Sequence, residues 1–523
     1  MINANRRFQR FSLWRDMTAG SWRVAFLSCL GAIVYGYDVS WWSSVLGMPE
    51  FRKRFGIYDA KTEKYTISAQ LQSAGSAIPY AGLGLGSVLA TQISDRFGRR
   101  DGIMVMSIGY IIAVIIEVTS NSYWQVVIGR FCNGIPQGLA ATMLPIYQSE
   151  CAPASCRGGL ISIYTWFVDI GAVTATGIVY NTWSRKDSGS YKIVMGIQII
   201  YPLLILVTLP FLPETPRYLC MKGREDEALQ VLTSLRKDSE QATLELEDIK
   251  VSLNIHVDES SWVDLFKGSN LRRTIIALVI PTVETWQGLS FIGNYLVVFL
   301  ISLGTTNTYQ LVVLINSVLL MTLTFFFWAP DFFGRRTLLL FGSACMWAFM
   351  FIVASAGGLD VSTVSEGRQQ VAVGMLFLWA IVYSSTWANL TWVTLAEIPT
   401  TRLKTKTAGL GYFLQICSTI IVTLVVPYLQ SDAYVNWGAY IGFLFGSFSF
   451  IGFWFVFFFY PETKGATIEE LDLFFEQRLS VSQFSKVRHG KHIVEHGDEP
   501  ESAELETRSS DGMQKRTEVI SQI

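Results

Sequence analysis

The chain carries one short motif twice. Asp95-Arg96-Phe97-Gly98-Arg99-Arg100 recurs 236 residues later as Asp331-Phe332-Phe333-Gly334-Arg335-Arg336. Each copy stands between two long apolar stretches. A charged tight turn between two membrane spans, repeated in each half of the sequence, constrains the chain to two related halves embedded in a bilayer.

Composition agrees with that reading. The 523 residues are 50% hydrophobic and only 16% charged, against about 25% charged in an ordinary soluble domain. The apolar residues fall in blocks of roughly twenty, enough to cross about 30 Å of hydrocarbon as helix. Strict alternation of apolar and polar residues is absent, which argues against a β-barrel. The expectation is an all-α membrane protein with twelve transmembrane helices in two pseudo-symmetric six-helix halves. The spans are predicted near 24–46, 66–91, 102–119, 124–147, 159–181, 191–212, 273–301, 307–329, 337–357, 369–395, 407–428 and 438–460. The divisions that follow are an N-terminus at 1–23, an N-terminal half at 24–212, a linker with short amphipathic helices at 213–272, a C-terminal half at 273–460, and a polar, largely disordered tail at 461–523.

Lys and Arg placement sets the orientation. The N-terminus holds Arg6, Arg7, Arg10, Arg15 and Arg23, and segments 95–101, 334–336 and 402–406 are also basic. All fall on one side of twelve spans, so both termini are expected in the cytoplasm; the plasma membrane is the expected location. Arg52, Lys53 and Arg54 dissent, since they would lie outside. The sequon Asn389-Leu390-Thr391 falls inside a span and is not expected to be glycosylated. Net charge is −1, so no nucleic-acid footprint is implied. Seven cysteines without a spacing pattern and four histidines outside the spans imply neither a disulfide framework nor a metal site. No cleavable signal peptide and no Gly-x-x-x-x-Gly-Lys-Ser/Thr nucleotide loop is evident.

Further segments repeat in register. Pro213-Glu214-Thr215-Pro216-Arg217 follows the sixth span and Pro461-Glu462-Thr463-Lys464-Gly465 the twelfth. Glu150 with Arg157 follows the fourth, and Glu397 with Arg402 the tenth. With Gly129-Arg130, Pro145-x-Tyr147-x-x-Glu150 and Arg157-Gly158, these segments resemble the sugar porter family of the major facilitator superfamily over all twelve spans. The stretches Trp286-Gln287-Gly288-Leu289-Ser290 and Gln415…Pro427-Tyr428…Asn436-Trp437-Gly438-Ala439 look most like fungal permeases for hexoses and α-glucosides or other disaccharides. The resemblance implies gating networks in which Glu150, Glu214, Glu397 and Glu462 face Arg99, Arg157, Arg217, Arg335 and Arg402. Such pairs would tie the two halves together while the cavity opens outward.

Ionisable groups inside spans are costly and usually functional. Asp38, Glu117, Arg130, Asp169 and Glu284 are the candidates. In proton-coupled sugar porters the residues matching Asp38 and Arg130 pair, and protonation of the acid releases the Arg. Glu117 is read as reaching the headgroups. Counting from Arg157-Gly158, the family's sugar-binding Gln of span five falls on Thr165, with Asp169 one turn further on the same face. Asp169 could then accept hydroxyls of a second sugar ring or pair with a neighbouring helix. The usual Gln pair of span seven is missing. Trp286 stands at its second position, leaving Gln287 and Asn294 as candidate ligands, with Glu284 on the face of Gln287. In span ten Trp387-Ala388-Asn389-Leu390-Thr391-Trp392 keeps the second Trp of the family pattern and loses its Gly-Pro kink. Trp387, Asn389 and Trp392 are candidate sugar contacts, and Gln415 matches the binding Gln of span eleven.

The resemblance implies a proton-coupled hexose or disaccharide symporter working by alternating access, active as a monomer. It would not be an enzyme, and would need no cofactor beyond the proton gradient. A facilitator without proton coupling and a sugar sensor of the same fold are the alternatives. Asp38 argues against the first, and a tail without internal repeats against the second.

Overall fold

The computed structural model describes residues 18–59, 63–152, 157–255, 261–305, 307–326, 329–358, 365–400, 403–431, 433–464, 468–481 and 483–484. Twelve long helices organise it: α1 (Ala19–Gly47), α2 (Ala69–Phe97), α3 (Arg99–Val118), α4 (Tyr123–Cys151), α5 (Arg157–Thr182), α6 (Gly189–Phe211), α7 (Asn270–Ser302), α8 (Thr308–Phe326), α9 (Arg335–Gly357), α10 (Glu366–Glu397), α11 (Lys404–Gln430) and α12 (Gly438–Phe459). Ten of them are long and apolar enough to cross a membrane. The remaining two, α2 and α4, are 29 residues each. They are less apolar because α4 buries Arg130, Asn133, Gln137 and Gln148 and because small residues line their mutual contact. A Cβ on Gly134 would lie 2.2 Å from the Pro79 carbonyl, and one on Gly138 2.1 Å from that of Leu83. Small residues are what lets two spanning helices approach to backbone contact.

Each repeated motif forms the turn between the second and third helices of its half. Gly98 and Gly334 both take φ +96°, a conformation that favours glycine. They mark one end of the bundle, the motif end. At the far end the halves close on each other. One continuous apolar cluster there contains Trp41, Val45 and Leu46 of α1 together with Tyr295, Val297 and Leu300 of α7. A Cβ on Gly47 would lie 2.5 Å from Val297 Cγ1. Trp183, just beyond α5, stacks on Tyr309 of α8 with centroids 4.9 Å apart, and Ser73 Oγ of α2 donates to the Leu424 carbonyl of α11 at 2.8 Å. Nearer the motif end, a second cluster built on Ile103, Met106, Tyr110, Met143 and Leu144 belongs to the N-terminal half alone. The halves are therefore joined at the far end, and nearer the motif end Trp166 Nε1 of α5 also donates to Thr324 Oγ1 of α8 at 2.8 Å.

The dissenting Arg52 sits in a short far-end helix, Pro49–Phe55, and its Nε donates to the Leu46 carbonyl at 2.8 Å. That contact gives the cation a local role at the far end. A two-stranded hairpin follows, with Ile57 opposite Thr66. The linker forms helices Pro216–Met221, Glu225–Leu235 and Ser239–Ile255. They are fastened to the N-terminal half by Arg236, which pairs with Glu245 at 2.6 Å and donates to the carbonyls of Cys151 and Ala152 at 3.0 and 3.2 Å. Of the polar tail, Ile468–Glu476 is helical and packs on the C-terminal half. There Arg273 pairs with Asp472 and donates to the Leu471 carbonyl at 3.0 Å. The tail from 485 onward and the N-terminus before 18, with its basic residues, lie outside the described residues.

Candidate functional site

A cavity of about 290 Å³ lies between the halves. Thr165 and Asp169 line it from α5, Glu284 and Asn294 from α7, Trp392 from α10 and Gln415 from α11. Five of these six are sequence candidates for substrate contact, and the sixth, Glu284, was singled out only as an ionisable group. Asn294 Nδ2 donates to the Tyr80 hydroxyl of α2 at 3.1 Å, so this side chain reaches across the two halves. Trp392 is 40% exposed and lies 5.7 Å from the Tyr412 ring. Glu284 accepts from the Tyr383 hydroxyl at 2.9 Å and from Gln415 Nε2 at 3.0 Å. Asp169 accepts no hydrogen bond among the described residues.

Three sequence candidates are not in the cavity lining. Gln287 is fully buried and faces α12, where a Cβ on Gly452 would lie 2.8 Å from its Nε2. The cause is a π-helical turn over Thr285–Leu289, with Gly288 at φ +115°. The wider turn advances the chain by an extra residue. Glu284 and Gln287 therefore do not share a face, and the acid alone points into the cavity. Trp387 is buried against α9, where its Nε1 donates to the Leu339 carbonyl at 3.2 Å. Span ten breaks at Thr386 (φ −124°, ψ −82°) without Gly-Pro. Gly342 of α9 makes room for the break, since a Cβ there would meet Thr386 Oγ1 at 2.4 Å. The break turns Trp387 outward from the cavity and Ala388 and Trp392 into it. Asn389 is half-buried and also stands outside the lining.

A second polar centre lies in the N-terminal half. Asp38 and Arg130 are both buried, with Arg130 Nη2 4.0 Å from Asp38 Oδ2. Asp38 accepts from Trp41 Nε1 at 3.0 Å, Asn133 Nδ2 at 2.6 Å and Gln137 Nε2 at 2.5 Å. The Arg130 guanidinium lies 4.1 Å from the centre of the Trp42 ring and 5.2 Å from that of Trp41, a cation–π arrangement. Its Nε and Nη1 are buried without hydrogen-bond partners. Glu117 does not reach the headgroups: it is 0% exposed and accepts from Gln198 Nε2 at 2.6 Å and Asn133 Nδ2 at 3.4 Å. Gly129 lets α4 press against it, since a Cβ there would lie 2.7 Å from Glu117 Cγ. Asn133 and Gln137 were missed in the sequence. They stand three and seven residues after Arg130, a polar stripe at helical spacing in an apolar span that would have revealed them.

At the motif end the charge pairs lie within halves. Arg99 Nε is 3.1 Å from Glu150 Oε2, and Arg335 Nη2 donates to Glu397 Oε1 at 3.0 Å. Glu214 accepts from the backbone N–H of Arg99 and Arg100 at 3.1 Å each. Glu462 accepts from those of Arg335 and Arg336 at 2.9 and 3.1 Å. Burial pushes the Glu214 carboxyl above the usual carboxylate range, while the N–H groups of Thr215, Arg100 and Arg99 pull it back. None of these contacts joins one half to the other; the expected ties between halves belong to an outward-open state. Arg217 is half-buried and takes part in none of these pairs. The Arg157 side chain and Arg402 lie outside the described residues.

Comparison with known proteins places this geometry. Residues 24–475 match the model of the family described as "Sugar (and other) transporter". The major facilitator-type transporter ecdD of Aspergillus rugulosus is 28% identical over 475 residues, covering 87% of this chain and 88% of its own. The hexose transporter HXT13 of Saccharomyces cerevisiae is 26% identical over 476 residues, 87% of this chain and 83% of its own. Among solved structures, a partially occluded inward-open form of the xylose transporter XylE from E. coli superposes with a TM-score of 0.72 at 21% identity, covering 86% of this chain and all of that one. The fold is that of the major facilitator superfamily. The chain is a membrane transporter rather than an enzyme, and it belongs to the sugar (and other) transporter family.

Proposed function

We propose that the protein is a proton-coupled symporter for a sugar, working by alternating access. The observation that carries the coupling is the buried Asp38–Arg130 pair beside, but outside, the cavity lining. At 4.0 Å the pair is loose, and Asp38 is held mainly by neutral donors. A carboxylate so placed can take up a proton and keep most of its contacts. Arg130 would then lose its counter-charge and seek another, which biases the balance between conformations. XylE, a proton:xylose symporter, and the hexose transporter HXT13 support a sugar as the cargo, a hexose or a disaccharide.

The motif end is read as cytoplasmic from its Lys and Arg content, in the plasma membrane, with the monomer as the working unit. On that reading, far-end closure makes this an inward-facing state. The test is uptake of radiolabelled sugar by cells lacking their own porters. Asp38→Asn should abolish accumulation against a gradient while leaving exchange of sugar across the membrane. If the variant still concentrates sugar, coupling is lost from the reading and an uncoupled facilitator remains.

A further inference from the structure

The cavity holds two carboxyl groups that the coupling centre does not explain. Asp169 lines it from the N-terminal half and Glu284 from the C-terminal half, and the lining holds no Lys, Arg or His among the described residues. Arg130 is not part of the lining and faces Asp38 and two indoles. Among the described residues Glu284 meets neutral donors, Tyr383 and Gln415 among them, and Asp169 accepts no hydrogen bond. A carboxylate withdrawn from water without a counter-charge is costly. Aromatic rings complete the wall: Tyr383 stacks on Trp379 with planes 6° apart, and Trp392 lies beside Tyr412. Ring faces attract cations as carboxylates do.

Resting on the sugar-transport reading, we infer that the cavity is built for a sugar bearing a protonated amine, an amino sugar. Its ammonium group would supply the counter-charge missing between Asp169 and Glu284, and its hydroxyls would meet Asn294 and Gln415. The two acids stand on opposite halves, so such a substrate would draw the halves together as it binds. A ligand shifts a conformational equilibrium only through contacts that differ between its states, and a charge gripped from both walls provides one.

The probes are D-glucosamine, D-glucose and N-acetyl-D-glucosamine, which share a ring and differ in charge. Uptake is measured at mildly acidic pH in cells lacking their own porters, with tryptophan-fluorescence titration of purified protein as a second readout. Glucosamine should be taken up with an apparent affinity about tenfold tighter than either neutral sugar, the gain of one charge-assisted pair. Asp169→Asn should remove that preference, bringing the apparent affinity for glucosamine to that for the neutral sugars, and Asp169→Glu should restore part of it. If the wild type transports glucose as well as or better than glucosamine, the amino-sugar assignment is overturned and the sugar-transport reading stands. If surface-expressed wild type neither transports nor binds any of the three, the amino-sugar assignment falls, and of the sugar-transport reading only the disaccharide remains. The wild-type comparison decides even where a variant fails to reach the membrane.

Discussion

Glu117 and Asp38 share the Asn133 amide, and a single guanidinium stands near them. Gln198 is then the donor that makes a fully buried Glu117 tolerable. Leaving a buried polar group without its hydrogen-bond partner costs about 1–3 kcal/mol. Gln198→Leu should therefore lower the melting temperature of the purified protein clearly, and Gln198→Leu combined with Glu117→Gln should recover part of the loss. Equal melting of wild type and Gln198→Leu would show that Glu117 does not depend on this donor. Trp392 lies at the other extreme, an aromatic face open to the cavity and not a packed core residue. Trp392→Ala should leave folding intact and weaken apparent substrate affinity by about tenfold, read from the concentration dependence of uptake.

At the scale of helices, the contact between α2 and α4 depends on backbone meeting backbone. Gly138→Ala would push a methyl group to 2.1 Å from the Leu83 carbonyl. Overpacking of that kind costs about 1–3 kcal/mol. Gly374→Ala in α10, where nothing lies within 4 Å, is the matched control and should be neutral or slightly stabilising. Thermal unfolding of the two variants in the same detergent checks both. The helices themselves were readable from the sequence, because hydropathy over roughly twenty residues registers span length whatever the packing. The duplicated turns were readable because Gly98 and Gly334 meet one conformational demand. Site residues failed where the helix departed from 3.6 residues per turn. The π turn at Thr285–Leu289 moved Gln287 to α12, and the break at Thr386 moved Trp387 to α9. Counting along a regular helix cannot register either departure. Asp169, Thr165, Asn294 and Gln415 lie on unbroken helical turns, and for these the count placed them in the lining. Glu117 was misplaced for another reason: a position near a helix end gives no depth, and burial there depends on how closely Gly129 lets α4 approach.

For the whole molecule, the arrangement of charges predicts which pairs of sites communicate. Arg99 should couple to Glu150, about 0.5–3 kcal/mol in a double-mutant cycle, as contacting residues do. Arg99 and Glu397 should be additive to within about 0.5 kcal/mol, because each belongs to its own half. Strong coupling between Arg99 and Glu397 would restore a tie between halves. Each half also carries the same knot at its motif end. A left-handed glycine presents the next two N–H groups to a carboxylate from beyond the sixth helix of that half, Glu214 in one case and Glu462 in the other. The space where a Cβ would stand is filled by that same carboxylate, 2.4 Å away at Gly98 and 2.5 Å at Gly334. In mechanical terms, each knot is a rivet that makes its half stiff against shear between the second, third and sixth helices. With both halves stiffened alike, the compliance of the molecule collects in the seam between them, and force arising in the cavity is converted into rocking rather than absorbed as bending of single helices.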